Sequence, residues 1–281
     1  MSSGGATARS SYPLPPRALV GMIHVDPLPG SPFSHRAVRE IASRAEAEAR
    51  ILHDAGFDAI MLENMHDRPY VNGPHEPQIT AAMSAIACRV RDVTDRPMGI
   101  QILSRGEREA LAVALAAGCQ FIRCENFVYA HVADEGILPD AAAGPLLRYR
   151  RYIGAQHVHI FCDVKKKHAS HALTEDISLA DAVHSAQFFG ADGVIVTGAF
   201  TGAPASVGDV AAARSATSLP VLVGSGVEPG QLGELFRHAD ALIVGSYIKE
   251  GGVWSGPVDA ARSRALVEAG VKARQSIPPR G

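Results

Sequence analysis

The sequence predicts a single eight-stranded β/α barrel, a (β/α)8 TIM barrel, and three observations carry the prediction. Short apolar runs alternate with helical patterns eight times along 281 residues. The runs are continuously apolar, as parallel strands covered on both faces are. The stretch after the first run, Asp26-Pro27-Leu28-Pro29-Gly30-Ser31-Pro32, lacks the G-x-G-x-x-G of an open dinucleotide-binding sheet.

The elements follow in order. A first strand is read at 18–25 and a helix around 35–55, stopped by Gly56. The second strand, 58–64, leads to a helix at 77–94 that opens on Pro77. Pro97 precedes the third strand, 98–103, and its helix, 106–117, ends at Gly118. The fourth strand is 121–126 with a helix at 141–154. The fifth is 157–164, with a helix at 178–189 between Ser178 and Gly190. The sixth is 193–197, with a helix at 207–216 that Asp209 suits as a start residue. Pro220 precedes the seventh, 221–224, whose helix is 230–238; the eighth is 241–244 with a helix at 258–275. The barrel domain is therefore 17–276. Residues 1–16 read as a disordered leader rather than a signal peptide, and 277–281 as a flexible tail.

Composition narrows the function. Apolar residues make up 47%, enough for a large core, and the net charge of −2 gives no basic surplus for nucleic acid. No run approaches the ~18 apolar residues of a membrane span, so integral membrane association is not expected. Cys88, Cys119, Cys124 and Cys162 form no C-x-x-C pair. They read as reduced, buried thiols of a cytoplasmic protein, a nucleophilic Cys124 or Cys162 being the alternative. A homo-oligomer is compatible with the sequence, though no interface can be read from it.

Barrel enzymes react at the C-terminal ends of their strands. Those ends carry His24, Glu63-Asn64, Gln101, Arg123-Cys124-Glu125-Asn126, Asp163 with Lys165, Lys167 and His168, and Thr197 with Thr201. Alternation puts Arg123 with Glu125, and Asp163 with Lys165, on shared faces. Charges so placed need partners, and Arg123 with Glu125, or Asp163 with a lysine, are the expected pairs. Lys166 reads as solvated, while Lys165 and Lys167 face inward, as point charges for an anion or as Schiff-base nucleophiles. His24 is either an acid–base group or a structural histidine. Glu63, Glu125 and Asp163 are candidate acid–base groups, and together candidates for a hard cation such as Mg or Mn; no cofactor is implied with certainty.

Two glycine turns say what is gripped. Val223-Gly224-Ser225-Gly226 and Val244-Gly245-Ser246 follow the last two strands. Loops at these positions of a barrel build phosphate cradles from backbone N–H groups, and glycine lets the oxyanion come close. Gly224, Ser225, Gly226, Gly245 and Ser246 are the expected phosphate contacts; Asn64, Gln101, Arg123, Asn126, His168, Thr197 and Thr201 are expected around the rest of the substrate. Lys249 follows the second turn and can add positive charge.

These residues resemble the BtpA/SgcQ family. The likeness begins at Gly21-Met22-Ile23-His24-Val25-Asp26-Pro27-Leu28-Pro29-Gly30-Ser31-Pro32. It continues through Asp163, Lys167-His168-Ala169, Thr197-Gly198, Thr201-Gly202, Val223 to Gly226, and Val244-Gly245-Ser246 with Lys249. The resemblance implies a β/α barrel. For function it implies either a photosystem I assembly factor or a protein of sugar-phosphate metabolism. The chain departs from the family pattern at Lys165, where a histidine is usual, at Gln101, where asparagine is usual, and at Glu228-Pro229-Gly230.

The expectation is an enzyme acting on a small phosphorylated metabolite, a sugar phosphate or nucleotide-like compound, by proton-transfer lyase, aldolase or isomerase chemistry. The alternatives are a non-catalytic assembly or stability factor and a divalent-metal-dependent glycosyl-bond hydrolase or transferase.

Overall fold

The computed structural model describes residues 11–198, 204–224 and 226–278. The strands among them are β1 (Ala18–His24), β2 (Ala59–Glu63), β3 (Met98–Gln101), β4 (Phe121–Cys124), β5 (His131–Ala133), β6 (Gly136–Leu138), β7 (His159–Val164), β8 (Ala169–Ser170), β9 (Gly193–Val196), β10 (Val221–Gly224) and β11 (Ala241–Val244). All but β5, β6 and β8 form a closed parallel barrel in the order β1-β2-β3-β4-β7-β9-β10-β11, with β11 returning to β1. These are the eight strands that the sequence predicts.

Helices α1 (Val38–Ala55), α2 (Pro77–Arg91), α3 (Glu107–Ala117), α4 (Ala143–Tyr152), α5 (Leu179–Phe188), α6 (Val207–Ala216), α7 (Leu232–His238) and α8 (Ala260–Ser276) follow the barrel strands in turn. Gly56, Gly118 and Gly190 take positive φ at the ends of α1, α3 and α5. Ser178 caps α5 by accepting from the Asp181 N–H, and Pro77 opens α2. Asp209 is not itself a cap: its N–H donates to Ser206, which starts α6.

Two cores result. One lies between strands and helices; the other fills the barrel with Val20, Met22, Ala59, Met61, Phe121, Phe161, Ile195, Leu222, Ala241 and Ile243. Gly99 makes the second possible, because a Cβ there would fall 2.0 Å from the Phe121 ring. The barrel floor corrects one expectation. Leu14 and Tyr12, read as disordered leader, pack on this inner core, with Tyr12 6.0 Å from Phe161 ring to ring. The open end of a barrel leaves apolar side chains in water, and a nearby apolar pair covers them. At the other terminus Arg17 donates to the carbonyls of Ile277 and Pro278.

The small sheet is new. β5 pairs antiparallel with β6 and β8, tying the loop after β4 to the loop after β7. It stands over the C-terminal mouth of the barrel and brings Asp134, Glu135 and His168 to its rim.

Candidate functional site

The inner core fixes a register. Two residues beyond Met22, Met61, Gly99, Phe121, Phe161, Ile195, Leu222 and Ile243 stand His24, Glu63, Gln101, Arg123, Asp163, Thr197, Gly224 and Gly245. Inward-facing positions recur every second residue, so all eight face the barrel interior above that core and ring its mouth. His24 pairs in register with Glu63, and Glu63 with Gln101. Six of the positions carry polar side chains; the two glycines lie on neighbouring strands, so one side of the ring is bare.

The charges pair differently from the sequence expectation. Arg123 forks onto Asp163, Nε to Oδ2 and Nη2 to Oδ1, both at 2.9 Å. Glu125 accepts from Lys166 at 3.1 Å. Arg123 and Asp163 face inward from adjacent strands, Asp163 standing two residues beyond Phe161, the register partner of Arg123, whereas Glu125 lies beyond the end of β4. Burial opposes the Arg123 charge, but Asp163 outweighs it and holds the guanidinium above its ordinary range. Burial also pushes the Asp163 carboxyl up, with Arg123 opposing. Burial would raise Glu125; Lys166 overrides it and keeps that carboxyl low.

The lysines are also corrected. β7 ends at Val164, and Lys165 turns to φ 47°, so strand alternation stops there. Lys165 points away and donates to the Thr174 carbonyl at 3.2 Å. Lys166, read as solvated, is 7% exposed. Lys167 enters the mouth, its backbone N–H held by Thr197 Oγ1 at 3.0 Å. Its ammonium makes no hydrogen bond or ion pair with any described residue, and burial, then Arg123, lower its pKa. Lys249 is fully buried against Glu48 on α1 at 3.1 Å and does not line the cavity over the glycine turns.

His24 Nδ1 faces the Trp254 carbonyl at 2.7 Å. A carbonyl only accepts, so Nδ1 carries the proton and the neutral ring presents a bare Nε2. That nitrogen lies 3.8 Å from Glu63. Burial, then Lys249, lower the His24 pKa well below its ordinary value, while burial raises that of Glu63. The pair sits in the mouth as a neutral base beside a carboxyl inclined to keep its proton.

Two joined cavities occupy this end. A narrow one of about 30 Å³ lies over Gly224, Gly226, Gly245 and Ser246, with His24 at its wall. A wider one of about 260 Å³ runs outward past Gln101, Glu125, Tyr70 and Trp254. Glu63, Met65, Arg123 and Lys167 line both. A side chain at Gly224 would put its Cβ 2.8 Å from Ile195 and 3.4 Å from Arg123 Nη1, the guanidinium nitrogen left out of the Asp163 fork. One at Gly245 would come within 3.3 Å of His24 Nε2. In the wide cavity Gln101 Oε1, Glu125 Oε2 and Glu135 Oε2 are buried acceptors with no partner among the described residues.

Other expected residues fall outside the mouth. Asn64 exchanges hydrogen bonds with the Leu103 backbone and Asp67, and Asn126 donates to the Asp140 carbonyl; both brace loops. Thr201 and Ser225 lie outside the described residues. His168 does line the wide cavity, 4.0 Å from Asp134. Among the described residues no three His, Cys, Asp or Glu side chains gather as metal ligands. Both Asp163 oxygens are taken by Arg123 and one Glu125 oxygen by Lys166, so the expected Glu63, Glu125 and Asp163 set does not assemble for a hard cation. Burial pushes the thiols of Cys124 and Cys162 up, against a nucleophilic role; Cys88 is exposed rather than buried. Trp254, Tyr70, Met65 and Glu135 went unread because they come from loops, where no periodicity marks an inward side chain. Trp254 is held by Arg68 at 4.9 Å over its ring and by His66.

No helix among the described residues is long and apolar enough to cross a membrane. A family model described as the BtpA family matches residues 16–272. An uncharacterised mitochondrial protein of Caenorhabditis elegans is 43% identical over 258 residues, covering 90% of this chain and 91% of its own. The photosystem I biogenesis protein BtpA of Synechocystis sp. is 33% identical over 263 residues, covering 92% and 90%. Among solved structures, thiamine phosphate pyrophosphorylase from Pyrococcus furiosus superposes with a TM-score of 0.56 at 14% identity, covering 92% of this chain and 96% of that one. That likeness speaks for the barrel.

Proposed function

The chain belongs to the BtpA family, and from that premise we propose that its barrel mouth is the active site of an enzyme on a small phosphorylated metabolite, working by proton transfer in a lyase, aldolase or isomerase reaction. The observation that carries the reading is the bare side of the ring. Gly224, Gly226, Gly245 and Ser246 border a narrow recess into which Arg123 and Lys167 face. Backbone amides bonding a phosphate oxygen need close approach, and two cations supply the long-range field. Thiamine phosphate pyrophosphorylase, by its name, handles a phosphorylated compound on the same fold.

The wide cavity takes the organic part. Its three unpartnered buried acceptors ask for donors, since an unmade hydrogen bond at a buried group costs about 1–3 kcal/mol. Hydroxyls of a sugar-like body meet that demand, with Trp254 and Tyr70 as apolar walls. Glu63, which lines both cavities, and His24 Nε2, 3.8 Å from it at the wall of the narrow one, then exchange the proton.

Calorimetric titration with inorganic phosphate tests the cradle. Binding is expected, weaker at high salt and weaker in Lys167→Ala. A heatless titration, or one that the substitution leaves unchanged, removes the reading. The name of the Synechocystis relative motivates a second one, a non-catalytic assembly factor; stoichiometric retention of a protein partner without any bound phosphorylated compound favours it.

A further inference from the structure

We propose that Lys167 forms a Schiff base with its substrate, so that the substrate is a phosphorylated aldehyde or ketone. The phosphate half of this statement rests on the function proposed above; the carbonyl half does not.

The chain has five lysines: Lys165, Lys166, Lys167, Lys249 and Lys272. Three have their ammonium groups occupied, Lys165 by the Thr174 carbonyl, Lys166 by Glu125 and Lys249 by Glu48. Lys272 is exposed on α8. Lys167 alone is drawn into the barrel mouth without a partner among the described residues. An anion-binding lysine on a surface gains from staying charged. This one stands in a ring where Arg123 already supplies a fixed charge, and the two cations disfavour each other. Desolvation and Arg123 lower the Lys167 pKa against the pull of Glu63, Asp163 and Glu125, so this lysine yields its proton, and with it the lone pair, more readily than an exposed one.

Position supports the chemistry. Lys167 lines both cavities, so its nitrogen lies between a phosphate in the narrow one and a carbon body in the wide one. The free amine attacks the carbonyl carbon, forming the C–N bond while the C=O π pair moves to oxygen and takes a proton. The carbinolamine then loses that oxygen as water, with Glu63 as the acid, leaving an iminium. Amine plus carbonyl gives imine plus water, and no oxidant or reductant is needed. The iminium draws electrons from the adjacent carbon, which lets His24 Nε2 or the Glu63 carboxylate remove a proton there.

The test is reductive trapping on the full chain. Dihydroxyacetone phosphate and glyceraldehyde 3-phosphate are each added with sodium cyanoborohydride, dihydroxyacetone serves in parallel, and the modified lysine is mapped by fragment mass spectrometry. The expected result is one adduct per chain on Lys167, carrying the mass of the ester less one water plus two hydrogens. It forms faster than any adduct on Lys272, is slowed by inorganic phosphate and is lost in Lys167→Arg. Equal labelling of Lys167 by dihydroxyacetone and its phosphate keeps the amine chemistry and defeats the phosphate cradle. Phosphate binding with Lys167 labelled no faster than Lys272 by either ester overturns the Schiff base and leaves the cradle standing. Mapping on the unaltered chain decides both outcomes even if the arginine variant does not fold.

Discussion

Replacing Arg123 and Asp163, singly and together, separates what the barrel needs to stand from what it needs to act. The side chains are 6% and 1% exposed and joined by two 2.9 Å hydrogen bonds. Asp163→Leu leaves a guanidinium buried without its counter-charge, and Arg123→Met leaves a buried carboxylate. Breaking such a pair costs about 3–5 kcal/mol, whereas replacing both partners by apolar groups of similar volume is often neutral or stabilising. At about 2–4 °C per kcal/mol for a chain of this size, each single variant is expected to melt roughly 6–20 °C lower and the double variant near the parent. Function runs the other way. Arg123 Nη1 is free of the fork and faces the glycine side of the ring, and a charged hydrogen bond contributes about 1.5–3 kcal/mol. The stable double variant should therefore bind phosphate about tenfold to a hundredfold more weakly, at 1.4 kcal/mol per decade. Differential scanning calorimetry reads the first quantity and isothermal titration the second. A double variant that binds phosphate as the parent does refutes the assignment of Arg123 to the anion, and single variants with unchanged melting refute a dry pair.

Two further substitutions probe the ring and a group behind it. Gly245→Val places a side chain against His24 Nε2, 3.3 Å from the Cβ position, and is expected to weaken phosphate binding at least tenfold, about 1.4 kcal/mol; unchanged affinity in the titration speaks against the turn as a contact. Glu107, 6% exposed at the start of α3, has its carboxyl raised by burial to about 7, against an ordinary 4.5. The folded state then holds a proton that the unfolded state releases, so stability is full below pH 4.5 and falls as pH rises toward 7, by about 3 kcal/mol in all at 1.36 kcal/mol per unit. Glu107→Gln should flatten that slope in urea melts run from pH 4 to 8, and a parent without the slope rejects the burial.

The fold was legible because its signals are local and repeated. Each strand is a short apolar run, each helix stop a glycine such as Gly56, Gly118 or Gly190, and the repetition makes closure the economical arrangement. The small sheet was not legible. β5, β6 and β8 are two or three residues long, and β8 pairs with residues 36 and 38 positions earlier in the chain, Ala169 with Ala133 and Ser170 with Val132. Such segments have no periodicity to count, and their pairing depends on where two loops are carried by the barrel. Tyr12 and Leu14 were missed for a related reason: two apolar residues among prolines say nothing until an open barrel floor exists beneath them.

The site was legible as far as strand geometry extends. His24, Glu63, Gln101, Arg123, Asp163, Thr197, Gly224 and Gly245 all follow from alternation, because each lies within one residue of the end of a regular strand. One residue farther the rule breaks. Alternation sends Lys165 inward with Asp163, but the positive φ of Lys165 reverses the sequence of faces, so Lys165 leaves and Lys167 enters. The same turn delivers Lys166 to Glu125, which had seemed the natural partner of Arg123 by proximity in sequence. Neutralisation across neighbouring strands won over neutralisation along one strand: the long Arg123 side chain reaches Asp163, two residues beyond its register partner Phe161, and Glu125 is taken by Lys166.

The ring is also asymmetric. In the row beneath it the single glycine, Gly99, is covered by the Phe121 ring, and two neighbouring bare positions have no place in a row that only finishes the core. Instead five consecutive strands, β1 to β4 and β7, contribute His24, Glu63, Gln101, Arg123 and Asp163, while β10 and β11 contribute glycine. A glycine pair beside two cations forgoes burial of about 0.8 kcal/mol for each methylene it could have carried. It leaves a recess of about 30 Å³ where close packing is otherwise the rule. A recess that small, walled by backbone on one side and by Arg123, Lys167 and His24 on the other, excludes any large apolar group and suits a compact anion. The wider cavity shares Arg123 and Lys167 but adds carboxylates, an amide and the rings of Tyr70 and Trp254, so a ligand that is anionic at one end and hydroxylated at the other suits the two together. The polarity that the proposed function requires of its substrate thus follows from which strands end in side chains and which end in none.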